Sequence, residues 1–362
     1  MDTNFYKLTV NGITQETNDT VSISLEVPAD LKATFAYKQG QYLTLRFDIK
    51  GNEVRRAYSM SSSPQEEDLT VSVKRVKGGV VSNHIADQLT IGSEIEVMPP
   101  QGRFYTHLEE TQRKTYYLFA AGSGITPLMS ILKTVLEAEP QSIVHLIYGN
   151  RSEQDIIFKD QLAGLANRYQ HQLYVTHVLS QPRREKSGLF GMFQKGTLSW
   201  QGEIGRISKA FVLKYMEENP SNTKESSYFV CGPGGMIDEV EATLLSQSIE
   251  KKHILTERFT SAAPKAAPLS AGAAMLVVTL KKEVFELEIP AKKTILEALI
   301  ADKKNPPYSC TSGACSSCMA KVISGTVTMD ACYALDDDEV AAGYILTCQA
   351  RPTSSSVEII FE

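Results

Sequence analysis

Long apolar runs are missing from this chain of 362 residues. No window approaches the twenty or so apolar residues that cross a bilayer, so no membrane partner is expected. Nor is there a surplus of positive charge: 37 Lys and Arg stand against 42 Asp and Glu, a formal net charge of −5. Nucleic-acid binding needs a basic face, and none is expected here. No pair of Glu-x-x-His motifs and no facial His/carboxylate set marks an oxygen-activating metal site. The first residues, Met1-Asp2-Thr3-Asn4-Phe5, contain no basic stretch followed by an apolar run. No signal peptide is therefore expected, which predicts a cytoplasmic location and reduced thiols. No internal repeat is evident, so duplication does not account for a length that suits two or three domains.

Cysteine is sparse too, six residues in all, but four of them follow a pattern: Cys310, Cys315 and Cys318 lie in one short loop and Cys348 follows after a long gap. The spacing C-x4-C-x2-C…C is the plant-type ligand pattern for a [2Fe–2S] cluster, which moves one electron at a time. The small polar residues between the cysteines let the chain wrap tightly and aim backbone N–H groups at the sulfurs. The rival readings are a zinc knuckle, a disulfide pair or buried free thiols. Zinc sites usually show two short Cys/His pairs, and a disulfide needs an oxidising compartment. Cys332 fits no ligand slot and reads as a small buried hydrophobe. The acidic run Asp336–Glu339 reads as a solvated helix start.

Along the chain the pattern changes twice. In the first hundred residues, Thr20–Val27, Gln41–Phe47, Arg55–Met60, Leu69–Val76 and Glu94–Met98 alternate apolar and polar residues between turns, which predicts an antiparallel β-barrel. From residue 112, apolar strands (Tyr116–Ala121, Ser142–Tyr148, Leu173–Leu179, Tyr228–Cys231) alternate with helical segments, which predicts a parallel-sheet α/β domain. Within it, Gln181–Gly205 is a long connection holding the single tryptophan, Trp200, with Arg183, Arg184 and Lys186; a flap near a nucleotide or plain disorder is expected. Ser261–Gly272, rich in Ala and Pro, reads as a linker. A hairpin around Lys281-Lys282-Glu283, a helix at Thr294–Asp302 with Thr294 as N-cap, the cysteine loop and two further strands suit a β-grasp module. The expected division is 1–108, 112–258, a linker at 259–273, and 274–362.

Four motifs carry chemistry. Arg56-Ala57-Tyr58-Ser59 ends a strand: Tyr58 can stack on a flavin ring, Ser59 can reach its edge and Arg56 can hold phosphate. The next strand ends in Val73-Lys74, and Gly78-Gly79-Val80-Val81-Ser82 follows, with Ser82 expected to cap a helix whose free N–H groups bind phosphate. Gly122-Ser123-Gly124-Ile125-Thr126-Pro127 joins a strand to a helix, with Thr126 expected at the N-cap and Pro127 at the first helical position. Cys231-Gly232-Pro233-Gly234-Gly235-Met236 does the same, and puts Cys231 at a carboxyl strand end where a nicotinamide can lie.

In this order the four motifs resemble the ferredoxin–NADP reductase superfamily, and the C-terminal cluster loop narrows the resemblance to oxygenase reductases, such as the reductase subunits of phenylacetyl-CoA epoxidase systems. The resemblance implies FAD in the barrel, NAD(P)H in the α/β domain and a [2Fe–2S] cluster in the tail. It implies FAD contacts from Arg56, Ala57, Tyr58, Ser59, Val73, Lys74, Gly79, Val81 and Ser82. The nicotinamide nucleotide would meet Gly122, Gly124, Thr126, Pro127, Cys231, Gly232, Pro233 and Met236, with Tyr58, Ser59 and Cys231 nearest the chemistry. Phe259 is expected to shield the flavin, and Cys310, Cys315, Cys318 and Cys348 to ligate iron. Arg151, after the second strand of the α/β domain, is expected to pair with a 2′-phosphate, which makes NADPH the preferred donor over NADH. The implied electron acceptor is a separate oxygenase, of the di-iron phenylacetyl-CoA type. The same architecture serving a desaturase or ring hydroxylase, or a non-catalytic electron carrier, are the alternatives.

Overall fold

The structure, a computed structural model, describes residues 4–185, 197–259 and 272–361. It divides into two compact units, a larger one of Asp2–Val54 with Tyr58–Glu257 and a smaller one made chiefly of Arg258–Glu362.

The N-terminal part is the expected barrel. Its strands are β1 (Tyr6–Thr17), β2 (Thr20–Glu26), β3 (Tyr42–Ile49), β4 (Asn52–Ser59), β5 (Leu69–Lys74) and β6 (Glu94–Gln101), with helix α1 (Val80–Gln88) between the last two. They are ordered β4-β3-β6-β1-β2-β5, and an antiparallel bridge from Met60 to Val71 brings the two ends together. Val10, Ile23, Leu45, Val71 and Val97 fill the interior with no exposed surface. The sequence pattern alone does not reveal β1. Its Asn11-Gly12 pair has the look of a hairpin turn, but the strand runs through it, and the register against β2 shifts between Val10 and Gly12. The glycine absorbs a bulge rather than a reversal.

The rest of the larger unit comprises β7 (Lys114–Ala121), α2 (Ile125–Ala138), β8 (Ile143–Asn150), α3 (Lys159–Arg168), β9 (Leu173–Leu179), the short pieces β10 (Arg184–Glu185), β11 (Thr197–Leu198) and β12 (Glu203–Ile204), α4 (Lys209–Glu218), β13 (Glu225–Cys231), α5 (Gly234–Ser246) and β14 (Ile254–Glu257). The sheet is ordered β12-β9-β8-β7-β13-β14, and its pairings are parallel. The apolar runs follow from burial on both faces: Tyr116, Leu118 and Ala120 of β7 enter one core, Tyr117 and Phe119 the other. Strand order reverses between β7 and β13, the switch point where open α/β sheets bind ligands. The long connection after β9 holds an antiparallel β10–β11 pair and β12, which extends the sheet beside β9. Residues 186–196 of that connection lie outside the described residues, as does most of the expected linker.

The smaller unit has β15 (Ala274–Leu280), β16 (Glu283–Ile289), α6 (Ile295–Ala301), β17 (Met319–Ser324), β18 (Val327–Met329), α7 (Asp337–Ala341), β19 (Tyr344–Leu346), β20 (Ala350–Pro352) and β21 (Ser356–Ile360). Five strands form one sheet, β16-β15-β21-β17-β19, with α6 packed on it through Ile295, Ala298 and Leu299. Lys281 and Lys282 both take positive φ, 53° and 70°, as a two-residue hairpin turn of the I′ kind requires. Thr294 caps α6 by accepting from the Glu297 N–H at 3.2 Å, and the Glu297 carboxylate accepts from the Thr294 N–H at 2.9 Å. Asp336 and Glu339 form the same reciprocal box at α7, so the acidic run is the helix start its composition suggests.

Candidate active site and cluster loop

On the barrel side, β4 delivers Arg56, Ala57, Tyr58 and Ser59 to one strand end. Arg56 is exposed, Tyr58 half-buried and Ser59 buried. The neighbouring turn is built for close approach. A Cβ on Gly79 would meet the Ser82 hydroxyl at 2.6 Å and Val76 Cβ at 3.0 Å, so only glycine leaves the backbone bare there. The N-cap of α1 is Gly79, not Ser82. Ser82 sits inside the first turn, and its hydroxyl accepts from the Val76 N–H at 3.1 Å, closing the loop from within. Val73 and Val81 point into the barrel core, which leaves their backbone groups for any ligand, and Lys74 pairs with Asp19 at 3.4 Å.

On the sheet side, the two remaining turns meet at the switch point. Gly122 adopts φ 54° and Gly124 opens α2. A Cβ on Gly124 would lie 2.1 Å from the Cys231 carbonyl oxygen and 2.7 Å from the Gly232 N. The third and fourth motifs are therefore one surface, joined where no side chain fits. The helix begins earlier than the residue types suggest: Ile125 is its first residue, Thr126 and Pro127 follow, and the Thr126 hydroxyl donates back to the Ser123 carbonyl at 3.0 Å. Proline is tolerated there because N–H groups of the first turn have no intrahelical partner. The Tyr148 hydroxyl, from β8, donates to the Gly122 carbonyl at 3.1 Å and braces the turn. On the far side, the Met236 Cε would touch a Cβ on Gly232 at 2.7 Å, and Pro233 is the N-cap of α5.

Cys231 is fully buried and pairs in register with Ala120 on one side and Glu257 on the other. Burial pushes its thiol well above the ordinary range, so it stays a neutral thiol and not a nucleophile. Sequence reasoning missed Glu257. It ends β14, and the Ser59 hydroxyl donates to its carboxylate at 2.9 Å. Desolvation of that carboxyl pushes it up to about 8 although Ser59 opposes the shift. The signal available was its position, two residues before Phe259; Phe259 itself is exposed. Arg151 follows β8 and is exposed, and its carbonyl accepts from the Gln181 N–H at 2.7 Å, which brings the Arg183 and Arg184 segment to the same strand ends.

In the smaller unit, Cys310 is half-buried and Cys315, Cys318 and Cys348 are buried. The thiols of Cys310 and Cys348 are lowered by the neighbouring Cys315 and Cys318, whose own thiols are raised. Among the described residues no three Cys, His, Asp or Glu converge on a single ion position. The C-x4-C-x2-C spacing with a distant fourth cysteine is what suits a two-iron cluster rather than one tetrahedral ion. Backbone donors face the sulfurs as expected: the Cys310 N–H reaches Cys315 Sγ at 3.5 Å and the Ser312 N–H reaches Cys310 Sγ at 3.4 Å. Thr311 and Gly313 take positive φ, 56° and 74°, to turn the loop. Cys332 is half-buried against the cluster-side core, and burial raises its thiol. The lone Glu-x-x-His spacing, Glu250–His253, falls on a short turn where Glu250 pairs with Lys252 at 2.8 Å.

Comparison with known proteins matches these parts in the same order. Residues 7–105 match the oxidoreductase FAD-binding domain family, 118–242 the oxidoreductase NAD-binding domain family and 278–353 the 2Fe-2S iron-sulfur cluster binding domain family. The chain is 33% identical over 364 residues to a component of the 1,2-phenylacetyl-CoA epoxidase of Escherichia coli (strain K12), covering 99% of this chain and 98% of that protein. It is 36% identical over 366 residues to the ferredoxin reductase component of 3-ketosteroid-9-alpha-monooxygenase of Rhodococcus rhodochrous, covering 98% and 96%. In fold it is similar to phthalate dioxygenase reductase, with a TM-score of 0.62 at 22% identity over 99% and 98% of the two chains. A flavin barrel, a pyridine-nucleotide sheet and a ferredoxin-type tail on one polypeptide make an oxidoreductase that carries electrons from NAD(P)H through FAD to a [2Fe–2S] centre. The chain belongs to the family of oxygenase reductase components that includes the epoxidase and ketosteroid monooxygenase proteins.

Proposed function

We propose that the chain is the NADPH-dependent reductase of a separate di-iron oxygenase of the phenylacetyl-CoA epoxidase type, acting in the cytoplasm. The observation that carries this reading is end-to-end similarity, at 33% identity, to the epoxidase component. Bound FAD would take a hydride from the nucleotide and release electrons singly, and a bound cluster would accept them one at a time.

The chain's residues bind and orient. Tyr58 offers a ring face, Arg56 a planar cation for phosphate, and the bare Gly79 turn with the Val81 and Ser82 backbone a seat for the flavin pyrophosphate. Gly122, Gly124 and Thr126 receive the nucleotide pyrophosphate at the start of α2. Gly232, Pro233 and Met236 line the opposite wall, and the neutral Cys231 thiol offers a contact that does not react. Burial keeps a proton on the Glu257 carboxyl at neutral pH, beside Cys231, and Ser59 fixes its orientation. Arg151 pairs with the 2′-phosphate of NADPH. Cys310, Cys315, Cys318 and Cys348 would hold the cluster's irons.

The test is anaerobic addition of NADPH to the purified holoprotein, then reconstitution with purified oxygenases. Bleaching of the visible spectrum followed by turnover of phenylacetyl-CoA with the epoxidase component supports the reading. Coupling to a 3-ketosteroid oxygenase instead would favour the second relative's role, which its 36% identity makes the main rival. Absence of bleaching would leave only a carrier.

A further inference from the structure

The residue after the fourth cysteine does more than follow it. Gln349 Nε2 lies 3.1 Å from the Thr311 carbonyl, 3.1 Å from the Cys348 carbonyl and 3.7 Å from Cys348 Sγ. An amide nitrogen has two hydrogens. One satisfies Thr311, the left-handed residue at the crest of the cysteine loop; the other is shared between the carbonyl and the sulfur of Cys348. The side chain is held from below as well: its Cγ sits 3.1 Å from where a Cβ on Gly313 would stand, so glycine at 313 makes its room. Its backbone is fixed in turn, the N–H donating to the Leu346 carbonyl at 2.9 Å and the carbonyl accepting from the Asp330 N–H at 3.0 Å. Asp330 is itself clamped by Arg351, whose Nε and Nη2 reach Oδ2 at 2.9 and 2.8 Å. A long, flexible side chain is thus locked in one orientation, with a donor aimed at a thiolate.

We infer that Gln349 is a positioning residue that sets the reduction potential of the cluster through its hydrogen bond to Cys348. The inference rests on the four-cysteine ligand set above. Reduction adds negative charge that spreads onto the cysteinyl sulfurs, so an N–H pointed at one of them favours the reduced form and raises the potential. The same amide ties Thr311 to Cys348 and so joins the loop of the first three cysteines to the fourth.

Gln349→Leu and Gln349→Glu in the full-length holoprotein test it. Iron and sulfide content establishes loading, EPR-monitored potentiometry reads the midpoint, and stopped-flow absorbance reads flavin reduction by NADPH. Removing the donor is expected to lower the equilibrium constant for cluster reduction about tenfold, about 59 mV for a one-electron couple. The Glu variant, which keeps the packing on Gly313 and adds charge, is expected to fall at least as far, and flavin reduction is expected to be unchanged. A loaded Leu variant with the wild-type midpoint overturns the inference. If the Leu variant does not hold a cluster, the Glu variant decides, and a midpoint at or above wild type overturns it. Loss of the cluster from both variants overturns tuning in favour of simple fastening. Wild-type protein without iron and sulfide would instead end the ligand reading on which the inference stands.

Discussion

The Ser59 hydroxyl, on a barrel strand, donates to the Glu257 carboxylate, at the end of the last strand of the parallel sheet, across 2.9 Å. The bond joins residues 198 positions apart and puts a titratable group beside the buried Cys231. A carboxyl lifted to about 8 in the fold binds its proton more tightly than in the unfolded chain. Its contribution to stability is therefore complete below about pH 4.5, the ordinary value, and is lost as pH rises through 8. The whole shift is worth at most about 5 kcal/mol. Glu257→Gln is expected to flatten this loss, so that urea unfolding at pH 5 and pH 9 gives a smaller difference in the variant than in wild type.

Nucleotide choice is expected to follow Arg151. Arg151→Ala should raise the KM for NADPH at least tenfold and leave that for NADH within about twofold, since the charge-assisted contact is to the extra phosphate. Equal losses for both donors in steady-state assays would remove Arg151 from that role.

Two glycines make opposite forecasts. Gly124→Ala places a Cβ 2.1 Å from the Cys231 carbonyl oxygen, so the start of α2 must move, at a cost of about 1–3 kcal/mol or more. Bleaching by NADPH should fail while bleaching by dithionite persists. Gly164, inside α3, has nothing within 4 Å of its missing Cβ. Gly164→Ala should stabilise by about 0.5–1 kcal/mol in thermal or urea melts.

The six cysteines are expected to divide into four, one and one. Serine at Cys310, Cys315, Cys318 or Cys348 should reduce iron and sulfide content sharply, and serine at Cys231 should leave it intact while slowing reduction by NADPH. Cys332→Ser should change neither; loss of iron from that variant would make Cys332 a fifth participant.

Much of this was legible in the residues, for identifiable reasons. The cysteine loop is short, so spacing alone carries its pattern. Lys281-Lys282 sits between two strands of clear alternation, and Thr294 with Glu297 forms a local reciprocal cap. What stayed hidden depends on distant partners. The strand character of Tyr6–Thr17 rests on pairing with β2 and β6 across a bulge at an Asn-Gly pair. The two-residue β12 is a strand only because β9 lies beside it. Ser82 and Thr126 have the chemistry of caps, yet each bonds to the turn before its helix, a choice made by backbone geometry and not by residue type. Glu257 carries no local signal, because its partner Ser59 is brought to it only by the fold.

The contact between Gly124 and the Cys231 carbonyl also sets an order of events during synthesis. A growing polypeptide exposes the first of these turns long before the strand that floors it has left the ribosome. The barrel strands, by contrast, are all complete by Gln101. A nascent chain can therefore close its barrel well before the seat at the start of α2 is finished.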